Sequence, residues 1–339
     1  VRTILLTGAS GVVGRELARE LRHNRVIGLV HSDSRELEVD ETIVSDLTAP
    51  RLGLEPRDWQ ALAREVDVII HSGGLTEWGQ PRERYDAINV AGSARVVELA
   101  EAAAAPVHMI STCFVNALVR NAADDLGSDN VVKPYITSKL EAEELLRRSG
   151  VPHTTYRPTN LVGHSQTGAS SRPQIVQALS DWICRGKAPF FAAHRGNLVD
   201  VVPLDVLAVA VARSVEADDL GRLYWVTYGD AAMSVEQAIG VAIDHARAAG
   251  REIEQAPVVD PRDGLPLALE EIPPVSRSYV KVMIDVSEVT HASGGVLPSS
   301  MAELGERHDL SMPSDIEAYR RSLDFWAAER SGTATAGGV

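Results

Sequence analysis

Thr7-Gly8-Ala9-Ser10-Gly11-Val12-Val13-Gly14 follows a short apolar run at residues 3–6 and opens a stretch with helical apolar spacing over residues 11–22. The three glycines sit at i, i+3 and i+6 between a strand and a helix. Gly8 permits the tight turn, Gly11 lets backbone approach a pyrophosphate, and Gly14 lets helix and strand pack closely. The helix start, with Ser10, Val12 and Val13, then offers N–H groups and a positive dipole end to phosphate oxygens. Working outward, apolar runs at 26–30, 42–44, 66–70, 107–110 and 153–157 alternate with helical patterns at 84–105 and 134–148. That alternation predicts an α/β protein: a Rossmann-type, doubly wound parallel sheet with helices on both faces. Past Pro158 the pattern loosens. We expect a dinucleotide-binding domain over residues 1–160 and a smaller C-terminal substrate-binding domain over 161–330, with strands at 198–202 and 223–227 that could rejoin the first sheet. Residues 331–339 read as a flexible tail.

The chain has 339 residues, 45% hydrophobic, and a formal net charge of -14. Such an acidic balance argues against nucleic acid as a bulk partner, because phosphate backbones need clustered cations. No apolar stretch approaches the roughly 20 residues that span a bilayer, and no secretory leader pattern opens the chain. Cys113 and Cys184 form no disulfide framework, so a reducing, cytoplasmic location is expected. The histidines show no metal-ligand spacing, and no metal is predicted.

The end of the second strand selects the nucleotide. An acidic residue there would bind both ribose hydroxyls and repel a 2′-phosphate. His31 and Ser32 occupy that place, Asp33 comes late, and Arg15 and Arg35 could reach a 2′-phosphate. The reading is NADP, with NAD not excluded. Asp46-Leu47, after the third strand, suits the adenine border: a carboxylate for its amino group, an aliphatic chain for its ring. Tyr135 and Lys139 stand four apart near the start of a helix, which places phenol and ammonium on one face. The ammonium is expected to lower the phenol's pKa toward neutrality, poising it to give or take a proton at a carbonyl oxygen. Thr112, at the C-terminal end of the fifth strand, is placed to hydrogen-bond the same oxygen.

These motifs fall in the order of the extended short-chain dehydrogenase/reductases, which the chain resembles. The resemblance rests on TGASGVVG, Asp46-Leu47, His71-Ser72-Gly73-Gly74, Asn89-Val90-Ala91-Gly92-Ser93, Ser111-Thr112, YITSK and Arg157-Pro158-Thr159-Asn160-Leu161-Val162-Gly163. It implies Tyr135 as acid/base, Lys139 also holding the nicotinamide ribose, and Thr112 polarising the carbonyl. It also implies that Ser72, Gly73, Gly74, Asn89, Pro158 and Asn160 border the cofactor. The family usually has two alanines where this chain has Gly73 and Gly74, so a looser loop is expected there. Within the superfamily the wording is most similar to thioester reductases and fatty acyl-CoA reductases, through Arg15, Val30, Leu75-Thr76-Glu77-Trp78, Ser-Thr-x-Phe-Val at 111–115 and Asn197-Leu198-Val199-Asp200-Val201-Val202-Pro203-Leu204-Asp205. That likeness implies reduction of an acyl thioester to an aldehyde or alcohol, on a small-molecule, CoA-bound or carrier-bound substrate, with any carrier acting in trans.

Other readings remain open: a ketone reductase or secondary-alcohol dehydrogenase, a sugar-nucleotide epimerase or dehydratase, and a regulator that senses nucleotide without chemistry. An epimerase needs cations for a second diphosphate, for which Arg172, Arg185, Lys187 and Arg195 are candidates. Trp78, Phe114, Phe190, Phe191 and Trp225 could line an apolar pocket or simply pack. A membrane partner is not expected, and a homodimer is left open. The acid lies mostly in the first 130 and last 109 residues, whereas 157–200 carries Arg157, Arg172, Arg185, Lys187 and Arg195 against Asp181 and Asp200. A cationic middle would suit an anionic substrate such as a phosphopantetheine thioester.

Overall fold

The computed structural model describes residues 1–32, 37–122 and 125–332. Six strands follow the sequence in order: β1 (Thr3–Thr7), β2 (Arg25–Val30), β3 (Glu41–Val44), β4 (Val68–His71), β5 (Val107–Ile110) and β6 (His153–Pro158). They are joined by Leu223–Val226 in one seven-stranded sheet, ordered Leu223–Val226, β6, β5, β4, β1, β2, β3. Every pairing in it is parallel. β1 and β4 are buried on both faces, as uninterrupted Ile-Leu-Leu and Val-Ile-Ile runs require. The sheet order reverses at β1, so the loops after β1 and β4 meet at the carboxyl edge, where open α/β sheets bind ligands.

Helix α1 (Val12–Glu20) packs its Leu17 and Ala18 into the same apolar core as the helix Leu204–Glu216 and the strand Leu223–Val226. The 223–227 run thus rejoins the first sheet. The 198–202 run does not: it breaks into Leu198–Val199 and Val201–Pro203, and the latter pairs with Asn160–Val162 outside the main sheet. The opposite sheet face is covered by Pro56–Glu65 and Ala91–Ala103. The expected helix over 84–105 is interrupted. Arg82–Tyr85 leads into a π-helical segment, Asp86–Val90, before regular winding resumes at Ala91–Ala103. A further core joins Ile175–Cys184, Val235–Ala248, Pro274–Ala292 and Asp315–Ser331. Among the described residues, no helix is long and apolar enough to cross a membrane. The tail reading at 331–339 falls mainly outside the described residues, as do Asp33 and Arg35.

Candidate functional site

The glycine turn is built to a tolerance below one methyl group. Gly8 adopts φ +68°, and a Cβ on it would fall 2.7 Å from the Gly73 Cα. A Cβ on Gly14 would fall 2.1 Å from the Gly8 carbonyl oxygen, whereas one on Gly11 would meet only that oxygen, at 3.1 Å. Gly11 therefore leaves an open cradle that a side chain would fill. It precedes α1, which has neither a side-chain cap nor an acidic residue in its first turn. Val12 is buried, Val13 half-buried and Ser10 exposed at the lip. Arg15 lies across the turn, its Nε donating to the Ser10 carbonyl at 3.3 Å. These features fit a dinucleotide pyrophosphate.

The second glycine pair is tighter than expected. Gly73 N–H donates to Thr7 Oγ1 at 2.9 Å, and Thr7 Oγ1 also pairs with His71 Nδ1 at 2.8 Å. His71 Nε2 reaches Ser93 Oγ at 2.9 Å. Burial pushes the His71 imidazole down to about 3, so it bridges these hydroxyls as a neutral ring. A Cβ on Gly73 would lie 3.0 Å from Thr7 Oγ1 and 3.1 Å from Leu47 Cδ1. The glycines thus let this loop close against β1 and Leu47; they do not loosen it. Ser72 is half-buried and Gly74 exposed, facing Asn89. Asn89, on the π-helical segment, accepts from Leu75 N–H at 2.7 Å and donates to Ser138 Oγ at 2.9 Å. Asp46 is held below the usual carboxylate range by hydrogen bonds from the Thr48 hydroxyl and amide, with His31 and Arg95 adding to the effect. Pro158 ends β6, and half-buried Asn160 follows it at the cavity described below.

Thr112, Tyr135 and Lys139 come together beyond β5. Thr112 and Tyr135 are both buried, and the Thr112 hydroxyl lies near enough to the phenol to favour its ionised form. Lys139 Nζ donates to the Ile110 carbonyl at 2.7 Å. The expected acidification of the phenol is not found. Burial pushes Tyr135 above its ordinary value, only partly offset by the Thr112 hydroxyl. Burial also lowers Lys139 to about 8, with Glu143 opposing that shift. The pair at neutral pH is therefore a protonated phenol beside a largely charged amine.

An apolar cavity lies on the far side of Phe114 and Trp78, with none of Thr112, Tyr135 and Lys139 in its lining. Phe114 and Trp78, whose rings meet edge to face at 6.3 Å, belong to the same packed cluster as Tyr135 and form one wall. Leu179, Ile183, Ile239 and Tyr319 form others. Phe191 also lines the cavity, Phe190 is fully buried in the core, and Trp225 carries the Arg157 guanidinium 4.5 Å from its ring centroid. The cationic middle does not reach the cavity as free charge. Arg157 is paired with Glu143 at 2.6 Å, Arg185 with Asp181 at 2.6 Å, and Arg195 with Asp263. Lys187 and Arg172 are exposed. Among the described residues lining the cavity there is no lysine or arginine, and its one carboxyl is Asp200.

Sequence reading gave no role to Glu143, Ser111 or Ser138, which lie around Tyr135 and Lys139. The signal for Glu143 was available: 135, 139 and 143 continue one helix face at i, i+4 and i+8. Ile239 and Tyr319 carried no signal, since cavity lining and core packing use the same residue types.

A family model described as "Male sterility protein" matches residues 33–211, a span that begins after the glycine turn. The chain is 31% identical over 237 residues to a linear gramicidin synthase of Brevibacillus parabrevis, covering 59% of this chain and 5% of that protein. It thus spans about a twentieth of that relative's length. Among solved structures, it superposes on the terminal R domain of the myxalamid PKS-NRPS biosynthetic pathway with a TM-score of 0.72 and 25% identity, covering 100% of this chain and 93% of that one. It also superposes on a UDP-glucuronic acid 4-epimerase from Bacillus cereus, with a TM-score of 0.65 and 15% identity over 96% of this chain and 99% of that one, a likeness of fold alone.

Proposed function

Because the chain belongs to the male sterility protein family, NAD(P)-dependent oxidoreductases of the extended short-chain dehydrogenase/reductase type, we propose that it reduces an acyl thioester to an aldehyde. The observation that carries this reading is the cation-free apolar cavity walled by Trp78 and Phe114, which pack in the same cluster as Tyr135. A sugar nucleotide would need positive side chains for its diphosphate, whereas an acyl chain needs only apolar walls. We further assign NADPH as the cofactor, with Arg15 on the 2′-phosphate side. When bound, it supplies the hydride.

The chain's own residues handle the oxygen. Thr112 donates a hydrogen bond to the thioester carbonyl, orienting it toward Tyr135. The buried phenol keeps its proton until negative charge develops on that oxygen, then transfers it. The Lys139 ammonium stabilises the resulting phenolate. The protonated hemithioacetal expels thiol and leaves an aldehyde. A phenol held protonated is suited to reduction, since the reductive direction needs a proton donor.

The testing experiment follows NADPH oxidation with an acyl thioester against a panel of ketones, in the wild type and in Tyr135→Phe. Turnover of the thioester, lost by at least about 100-fold in Tyr135→Phe with dinucleotide binding retained, is the expected result. Preference for ketones would transfer the reading to a ketone reductase, and near-wild-type activity in Tyr135→Phe would remove the mechanism.

A further inference from the structure

Lys139 does not stand alone behind the tyrosine. One turn further along the same helix, Glu143 is buried, its side chain 9% exposed, and grips two other elements. Arg157 from β6, its side chain 7% exposed, binds it with two nitrogens: Nη2 to Oε2 at 2.6 Å, and Nε to Oε1 at 3.1 Å. Ser111, just beyond β5, donates its hydroxyl to Oε1. Arg157 is itself braced on the Trp225 ring. Two neighbouring groups just before Thr112, the Ile110 carbonyl and the Ser111 hydroxyl, are thus held by Lys139 and Glu143 respectively.

We propose that Glu143 is a positioning residue of the catalytic centre: anchored by Arg157 and Ser111, its carboxylate fixes the approach of Thr112 and keeps a negative charge beside Lys139. A buried ion pair is weak evidence for a stabilising role, because desolvating both ions offsets much of their attraction. Its placement is more telling. On its own helix Tyr135 and Glu143 flank Lys139 at i−4 and i+4, while Glu143 and His71 from β4 are the titratable groups that interact with its charge. His71 and Tyr135 are neutral through burial, since burial drives the imidazole down and the phenol up. That leaves Glu143 as the anion of the group, and it opposes the loss of the Lys139 proton.

The inference rests on the reductase reading above, and the experiment separates the two. The pH dependence of kcat is measured with NADPH and an acyl thioester for the wild type, Glu143→Gln, Glu143→Asp and Ser111→Ala, alongside NADPH affinity and melting. The wild type should lose kcat through an alkaline limb near pH 8, where Lys139 loses its proton. In Glu143→Gln that limb should move down by roughly one pH unit with NADPH affinity little changed. In Glu143→Asp, which keeps the charge, it should stay in place. A folded Glu143→Gln enzyme whose limb coincides with the wild type's would overturn the electrostatic role. Should Glu143→Gln not fold, Ser111→Ala carries the test. It should lower kcat several-fold with the limb unmoved, and full kcat there would overturn the grip on Thr112. A wild type that turns over no carbonyl would instead refute the reductase reading.

Discussion

At the scale of single residues, the glycine turn separates two demands that the same motif satisfies. Gly14 serves the fold: its missing Cβ is what allows α1 to sit on the Gly8 carbonyl, 2.1 Å from where that atom would be. Gly11 is free of that demand, since nothing but the Gly8 oxygen at 3.1 Å would oppose its side chain, and a ligand role is what we propose for it. Gly14→Ala must therefore push helix and strand apart, at a cost of roughly 3 kcal/mol or more. Gly11→Ala should cost under about 1 kcal/mol, since the turn need shift only slightly. Its methyl group would nevertheless occupy the pyrophosphate cradle. Urea denaturation with NADPH titration distinguishes them: Gly11→Ala should keep its stability and lose binding, while Gly14→Ala loses both. Equal stability losses would show that the division of roles is wrong. The packing role of Gly14 was legible from spacing and position alone. The protonation state of Tyr135 was not, because the i, i+4 rule gives the neighbour's charge and says nothing of how deeply the phenol is buried.

Among the elements, the fastening of the helix that carries Tyr135 and Lys139 is the part that no local pattern announces. Lys133–Ser149 begins just after Asn130, whose Oδ1 accepts from Val132 N–H at 2.9 Å and Lys133 N–H at 3.2 Å. The Nδ2 of the same amide donates to Glu288 Oε2 at 2.6 Å and to the Asp285 carbonyl at 3.1 Å. Val131 N–H donates to Asp285 Oδ2 at 3.1 Å, and Lys281 ties Asp285 to Asp129. The partner helix, Pro274–Ala292, lines the cavity through Met283, Val286, Ser287 and Thr290. One buried asparagine thus joins the helix that carries Tyr135 to a helix that lines the cavity. Asn130→Ala leaves several of these groups unpaired and should cost about 2–3 kcal/mol. More tellingly, it should raise KM for the thioester with little change in NADPH affinity, because the glycine turn lies elsewhere. Steady-state kinetics with both substrates varied checks this, and a rise in both KM values would count against it. The strand–helix alternation was readable through β6, since each unit contributes its own apolar period. The long-range partners, such as Asp285 with Val131 or Tyr319 at the cavity, were not, because they lie more than 100 residues apart and neither segment's composition encodes the other.

For the whole molecule, the net charge of -14 proves a poor guide to where charge acts, because three cations of the middle segment, Arg157, Arg185 and Arg195, are paired with Glu143, Asp181 and Asp263. The titration of buried groups is more informative. Asp200 lies beside the cavity, accepting from Tyr228 and Gly229 N–H at 3.0 and 2.9 Å. Burial outweighs those bonds and raises its carboxyl to about 7. His108, paired with the Tyr156 hydroxyl at 2.9 Å, is lowered by burial to about 4. The two act on stability with opposite sign. Between about pH 4 and 7 the folded state keeps a proton on Asp200 that the unfolded chain has released, so its contribution is lost as pH rises through that window. Between about pH 4 and 6.5 the unfolded chain protonates His108 while the folded state does not, so that contribution improves as pH rises. Each full proton of difference changes the unfolding free energy by about 1.4 kcal/mol per pH unit. Urea denaturation at pH 4.5, 5.5 and 6.5 reads both. Relative to the wild type, Asp200→Asn should gain stability as pH rises and His108→Asn should lose it, each with a slope approaching that value. The constant offset from altered hydrogen bonds cancels in the slope. Parallel pH profiles for the two variants and the wild type would mean that neither group is held in the protonation state its burial dictates.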